Sequence, residues 1–342
     1  MAAPTVLSGT YGAEPGLRFG LLLDGKGGCT QLDWQGVSAW RPEQGLIWIH
    51  LERDDPAASD WLNQQGGLDP VISEALLAEE SRPRVEAVDD GLLIILRSVC
   101  ATSPDDERQS LTELDLVPLH LWIDGQRVIS LRDKGHYITA LRDIRRALHA
   151  GKGPTKAGDL LARIGDKLVR DLEPVLDSMD EEVDQLDEMI LHGEAREVRE
   201  RLKLLRRRSV QLRRYLAPQR DALTRLEHED STWIAERDQV RLREVTDKLM
   251  RFIEYLDSIR DRTTILHDDL STVISERIAR NSNRLAALAA LLLPPSVVAG
   301  LFGMNVGGIP GVNDSWGFEV VVAFVVVSSV ATLWFLKKVN WL

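Results

Sequence analysis

The residues with the clearest chemistry lie near the end of the chain. Gly303, Met304 and Asn305 occupy a short stretch between two apolar runs, Leu285 to Phe302 and Phe318 to Leu336, the only runs of that kind in the sequence. The amide oxygen of Asn305 suits a hard cation or the water in its first shell, and a ring of such dipoles can select by geometry and field. Asp314 and Glu319 would add negative potential beside it. A ring requires several copies of the chain around an axis, because two helices cannot enclose a pore. The plain alternative is that a glycine-rich turn between helices is only a connector.

A second pattern leads up to this loop. Every seventh residue of the preceding segment is Asp247, Glu254, Asp261, Asp268, Ser275, Ser282, Ala289 and Ser296. Beside that stripe, at the same interval, run Thr272, Ala279, Ala286, Leu293 and Gly300. Acids give way to hydroxyl and small side chains, which let helices approach closely or leave room for a central path. The stripe reads as one wall of a cation route, with Ser282, Leu293, Ser296 and Gly300 as pore lining. The competing reading is that a position far from a helix-packing seam is charged because it faces water. That accounts for the acids but not for the polar continuation at Ser282 and Ser296. Further back, His267 with Asp268 and Asp269 is the most suggestive metal-ligand cluster, although a helical His among acids is commonly a surface salt-bridge partner. Neither apolar run nor the loop contains His or Cys, and Met304 alone offers sulfur there. A tight tetrahedral zinc site in the path is therefore not expected, and an ion would pass at least partly hydrated.

The apolar runs must position these groups. They are 18 and 19 residues long with one charge, Glu319. At 1.5 Å per residue they reach about 27 to 29 Å, close to a bilayer's hydrocarbon thickness, so both are expected to be transmembrane helices. As buried core helices they would need a large apolar core that the charged sequence around them does not provide. Arg277, Arg280 and Arg284 precede the first span, Lys337 and Lys338 follow the second, and 303–317 contains no Lys or Arg. The positive-inside rule then places both termini in the cytoplasm and the Asn305 loop outside. Trp316, Trp334 and Trp341 fall near span ends, where indole rings favour the interface.

The first 280 residues lack a signal-peptide pattern and are expected to stay cytosolic. Two cysteines, Cys29 and Cys100, fit a reducing compartment and exclude a disulfide framework or a Cys-rich zinc site. The formal net charge of -11 argues against nucleic acid as a partner; it is compatible with gathering cations or simply with solubility. No P-loop, HExxH or paired-Cys motif points to an enzyme.

Three segments are expected. Residues 1–155 form an α/β cytoplasmic domain, with strands at Leu17 to Leu23, Leu46 to His50, Leu92 to Val99 and Leu114 to Trp122. Asp124-Gly125 turns the last of these into a hairpin with Val128 to Leu131. Helices should begin at Asp55-Pro56 and Asp69-Pro70, where a capping side chain precedes proline. Gly151-Lys152-Gly153-Pro154 reads as a linker.

Residues 156–284 form a helical hairpin, 157–191 and 195 to about 216, and a long stalk helix. The hairpin holds nine acids and no base from Asp171 to Glu188, against nine bases and two acids from Arg196 to Arg214. It is read as a solvated pair held partly by cross-helix ion pairs, with an acidic arm that attracts cations or serves as a regulatory tip as the sharper alternative. From Ser231 to Leu293 there are 63 residues without Gly or Pro, about 95 Å as one helix. Its seam of Leu242, Val245, Leu249, Phe252, Leu256, Ile259, Thr263, Leu266, Leu270 and Val273 must pack against protein. Residues 285–342 form the transmembrane domain, with spans at about 285–302 and 318–336.

Gly303-Met304-Asn305 at the end of the first of two C-terminal spans resembles the signature of the CorA-type divalent metal-ion transporter family. Val306-Gly307-Gly308-Ile309-Pro310-Gly311 is similar to its ZntB-like zinc transporter branch. Arg82-Pro83-Arg84-Val85-Glu86, Tyr215-Leu216-Ala217-Pro218, Arg220-Asp221, Pro294-Pro295 and Lys337-Lys338 before Trp341 also match, in order along the chain. The resemblance implies a homopentameric funnel in which an α/β domain and a helical hairpin surround five stalk helices, the first span lines the pore and the second faces lipid. Asn305 would form the ring at the outer mouth, Ser296, Leu293 and Ser282 would line the pore, and Asp268 would lie on its cytoplasmic continuation. In the magnesium branch an acidic residue closely follows the loop's proline. Here Gly311 and Val312 stand there, which points to zinc.

The expected function is divalent metal-ion transport across the bacterial inner membrane, foremost zinc uptake coupled to protons, with Asn305, Asp268 and His267 as metal contacts. Zinc efflux, or a magnesium, cobalt or nickel channel, are the variants within the family, and a membrane-anchored sensor or scaffold is the reading outside it. No permanently bound cofactor is implied. The cargo is Zn2+, with Ni2+, Cd2+, Co2+ or Mg2+ as alternatives, and the partners are lipid and further copies of the chain.

Overall fold

The computed structural model describes residues 14–79, 82–101, 116–192, 195–304 and 315–338. It opens with β1 (Leu17–Leu23), β2 (Cys29–Leu32), α1 (Trp34–Ala39), β3 (Ile47–Glu52), α2 (Pro56–Gln64) and α3 (Pro70–Leu77). β4 (Arg84–Val88), β5 (Gly91–Ala101), β6 (Leu116–Ile123), β7 (Arg127–Arg132) and β8 (Tyr137–Ile138) follow, then α4 (Thr139–His149) and α5 (Ala157–Arg170). The chain continues through α6 (Glu173–His192), α7 (Ala195–Glu227), α8 (Glu236–Phe302) and α9 (Gly317–Lys338). This is the α+β architecture expected from the sequence.

The strands form one sheet in the order β2-β1-β3-β7-β6-β5-β4, with β8 against β5. Neighbours are antiparallel except β3 and β7, which run parallel from Ile47 beside Arg127 to Glu52 beside Arg132. Parallel strands need cover on both faces, and β3 and β6 are buried at every residue. Ile47, Ile49, Leu51, Ile129 and Leu131 share a core with Trp61, Leu62, Ile72 and Leu76 of α2 and α3. Each such side chain contributes about 1.5–3 kcal/mol by leaving water. α4 and α5 pack against β5.

The turn chemistry follows the sequence. Asp55 accepts the N–H of Ala57 at 2.9 Å and Asp69 that of Val71 at 2.8 Å, each capping a helix that opens on proline. Asp124 accepts the N–H of Arg127 at 2.7 Å, and Gly125 at φ +85 closes the hairpin. A side chain at Gly125 would strike the Trp233 ring at 2.8 Å. The stretch expected to be a linker is instead a packed turn. Gly153 donates to the carbonyl of Gly27 at 2.8 Å, and both Gly153 and Pro154 are buried.

Three helix boundaries differ from expectation. The single helix predicted over 157–191 divides into α5 and α6 at Asp171 and Leu172, because Pro174 cannot donate to the carbonyl of Arg170 and clashes with it. α7, predicted to stop near 216, continues through Pro218 to Glu227. Leu216, Ala222, Leu223 and Leu226 are buried there, and their burial outweighs one missing hydrogen bond. α8 begins at Glu236 rather than Ser231, where the Asp238 carboxylate accepts the N–H of Ala235 at 3.3 Å and fixes the first turn.

The chain divides into two compact units. One comprises Met1–Leu186 with Glu200–Thr264, the other Asp187–Arg199 with Ile265–Leu342. In the first, Leu242, Val245, Leu249, Leu256, Ile259 and Thr263 of the predicted seam are buried, and in the second Leu266 and Leu270. Phe252 is only half-buried and Ile253 takes its place. The exchange is local, since Leu256, Ile259 and Thr263 beyond it keep the predicted positions. Cross-helix ion pairs hold the hairpin as expected, with Arg201 and Arg208 reaching Glu182 at 3.5 and 3.4 Å. The acidic arm is also served by α8. Arg262 bridges Asp180, at 2.8 Å, and Asp184, and Lys248 reaches Glu173 at 2.9 Å.

Candidate ion path on the long helix

Ser282, Ala286, Ala289, Leu293, Ser296 and Gly300 follow one another on α8 at steps of four and three, which places them on one helical face. All six are exposed in the chain, Leu293 at 63%. A side chain added at Gly300 would meet nothing within 4 Å, so the fold of the single chain does not demand glycine there. Ala287, one step round the helix, is buried at 3%. The Ser296 hydroxyl donates to the carbonyl of Leu292 at 2.8 Å, which leaves its oxygen lone pairs as acceptors toward whatever faces the helix.

Pro294 and Pro295 lie inside α8 and supply no N–H, so the carbonyls of Ala290 and Leu291 lose their helical donors. The signal was visible in the sequence as a proline pair, but its consequence, carbonyl oxygens released within an apolar helix, emerges only once the helix is seen to run through it.

At its C-terminal end α8 stops at Phe302. The N–H of Gly303 donates to the Ala299 carbonyl at 2.8 Å. A Cβ at this position would sit 2.9 Å from the same oxygen, so only glycine closes the helix this way. Met304 follows, 48% exposed. Asn305 lies outside the described residues, as do Asp314 and Trp341.

Toward the N-terminal end of the stripe, Asp247, Glu254, Asp261 and Asp268 are all exposed. Asp261 pairs with Arg260 at 2.9 Å. Asp247, Glu254, Asp268 and His267 make no ion pair among the described residues. His267 and Asp268 are exposed neighbours about 100° apart around the helix. Among the described residues of one chain, no group of three or more His, Cys, Asp or Glu side chains could hold a metal ion.

α8 and α9 each contain a stretch long and apolar enough to cross a membrane, and only 6% of each stretch is buried. The core helix of a soluble protein would be buried over most of its length. Trp316 and Phe318 are exposed at 72% and 81%, and the Lys338 ammonium lies 5.1 Å from the Trp334 ring centre in the last turn of α9. An aromatic beside a lysine at a span end is a membrane-interface anchor.

Comparison with known proteins gives consistent matches. Residues 43–338 match the family model described as CorA-like Mg2+ transporter protein. The chain is 33% identical over 320 residues to "Zinc transport protein ZntB" of Yersinia enterocolitica, covering 94% of each. It is 34% identical over 337 residues to "Divalent cation transporter CmaX" of Pseudomonas aeruginosa, covering 97% of this chain and 98% of that one. Its fold is similar to the full-length CmaX structure, with a TM-score of 0.79 at 33% identity over 96% of this chain and 99% of that one. It is also similar in fold to the CorA magnesium transporter of Methanocaldococcus jannaschii, with a TM-score of 0.80 at 20% identity over 95% and 98% of the two chains.

Proposed function

The chain belongs to the CorA-like family of metal-ion transporters, and from that premise we propose that it moves divalent cations, foremost zinc, across the bacterial inner membrane along the exposed face of α8. It is a transporter rather than an enzyme, and α8 and α9 supply its transmembrane helices. The observation that carries the reading is the continuous polar-to-small face from Ser282 to Gly300, left uncovered by its own chain and leading directly into Gly303-Met304-Asn305.

Several copies, five in the proposed assembly, surround an axis with this face inward. A hydrated cation meets a ring of Asn305 amides at the outer mouth, where carbonyl dipoles substitute for outer-shell water. It then passes Gly300, Ser296, Leu293 and Ser282. The Ser296 oxygen and the carbonyls released by Pro294 and Pro295 offer acceptors to a partly hydrated ion, consistent with the rule that unsatisfied backbone at membrane depth lines an aqueous cavity. Asp268, with His267 beside it, and the acids behind them keep the cytoplasmic continuation attractive to cations.

Zinc is favoured by the loop, which lacks an acid behind Pro310, and by kinship with proteins named for zinc transport. Both termini are placed in the cytoplasm and uptake is coupled to protons. Efflux, or conduction of magnesium, cobalt or nickel, are the variants. Competition flux into proteoliposomes under two opposed pH gradients tests metal, direction and coupling together. Zinc entry accelerated by an inward proton gradient is expected. Movement of none of zinc, cobalt, nickel or magnesium by the wild type would leave only a membrane-anchored scaffold.

A further inference from the structure

The first unit contains a groove of about 910 Å3 between α4, α5 and the first part of α8, beside the N-terminal end of the acidic stripe and distant in sequence from Ser282 to Gly300. Its volume falls in the range of small-molecule sites. Buried apolar side chains, Ile144, Ala162, Val169 and Val245, contribute to its lining. The rest of the lining is unusual for this chain. The protein carries a net charge of -11, yet seven cationic side chains line the groove against three acidic ones.

The cations are only partly neutralised by the fold. Lys167 pairs with Asp143 at 3.0 Å, Arg170 with Asp166 at 2.9 Å and Lys248 with Glu173 at 2.9 Å. Arg163 and Arg241 share one carboxylate, Asp159. Arg146 and Arg251 are exposed and make no ion pair among the described residues. Even when Asp159 and Glu173, outside the lining, are counted, the cations exceed the acids by two. Guanidinium groups present planar forks of donors that match phosphate oxygens, and arginine supplies most of the uncompensated charge.

We infer that this groove binds a polyphosphate group of small-molecule size, either free or carried by a nucleoside whose flat ring rests against the apolar part of the lining. Arg146 from α4 and Arg251 from α8 are the principal phosphate contacts, and Arg163 and Arg241 share the remaining charge. A ligand held this way bridges α8 to α4 and α5 within the one unit. The site was illegible in the sequence because its residues come from three segments and no motif joins them.

The test is calorimetric titration of the purified full-length protein in detergent, with chelator present, against ATP, inorganic tripolyphosphate and adenosine. Saturable binding of about one ATP or tripolyphosphate per chain is expected, weakening with added salt, with none of adenosine. ATP binding more tightly than tripolyphosphate identifies a nucleoside on the apolar lining, and equal affinity identifies the free anion. Arg146→Glu with Arg251→Glu should weaken binding roughly 10- to 100-fold. Glu244→Gln should leave it intact or strengthen it. If the double reversal disturbs folding, the milder Arg251→Gln should still weaken binding several-fold. Absence of saturable binding at several millimolar ligand, or binding unchanged in well-folded arginine variants, would overturn the inference. So would self-association abolished by the same substitutions without phosphate binding, which would make a second chain the occupant.

Discussion

α8 is one helix in two settings. From Glu236 to Thr264, where its sequence is highly charged, it buries Leu242, Val245, Leu249, Ile253, Leu256 and Ile259 inside its own chain. From Leu285 to Phe302, where it carries no charge at all, it buries Ala287 alone. The more apolar half is therefore the less buried. Hydrophobicity decides that a face must leave water, but what covers it depends on what the chain supplies. The charged half has α5 and most of α6 and α7 in the same compact unit. In the proposed assembly the apolar half has lipid and other copies of itself.

The contrast is sharpest for stability. Leu249 is fully buried, so Leu249→Asp, which places a charge in that seam, should cost about 4 kcal/mol or more and prevent accumulation of folded protein. Leu293→Ala at the exposed face should change the melting transition by less than about 1 kcal/mol while altering flux. Equal destabilisation by the two would erase the distinction between the halves.

Next in size is the loop that follows α8. With the assembly intact by gel filtration, Asn305→Ala should lower zinc flux at least about tenfold, equivalent to about 1.4 kcal/mol in the barrier. Undiminished uptake would show that the α8 face does not end in an amide ring.

An effect of similar size lies within the first unit and depends on pH. Burial, with a contribution from nearby Asp143, pushes the Asp171 carboxyl up to about 6. A carboxyl with a higher folded than unfolded pKa binds more protons when folded. Its ionisation then lowers stability as pH rises from about 4 to about 6, and the loss persists above that. Asp171→Asn should raise stability near pH 7 by about 1–2 kcal/mol, after allowance for its partial exposure, and change nothing below about pH 4. A stabilisation of the same size at low pH would assign the effect to something other than this carboxyl.

Much of this architecture was legible in the residues. β1, β3, β5, β6 and β7 announced themselves as apolar runs, α2 and α3 as Asp-Pro caps, and the two spans by length and lack of charge, whereas the short strands β2, β4 and β8 did not. The misses have local causes. Pro174 split a helix that charge and periodicity made continuous, whereas Pro218 did not, because the face around it had a core to join. Gly153-Pro154 looked like a linker and is packed, since a sequence does not reveal that Gly27 lies opposite. The shared face of α8 from Ser282 to Gly300 was readable from its seven-residue interval, whereas the closing of the helix by Gly303 was not, because it rests on the close approach of the Ala299 carbonyl. The groove around Arg146 and Arg251 was not readable, because it exists only once α4, α5 and α8 are brought together.

The central claim is that the uncovered face of α8 lines the route of the ion. Cys29 and Cys100 can be replaced by serine and a single Ser296→Cys introduced, with zinc flux measured in proteoliposomes before and after a small, water-soluble, positively charged thiol reagent. The account predicts that the reagent reacts, that flux falls to background, and that saturating zinc slows the reaction. An introduced thiol that stays unreactive in every transport state, or that reacts while zinc flux continues undiminished, would contradict it.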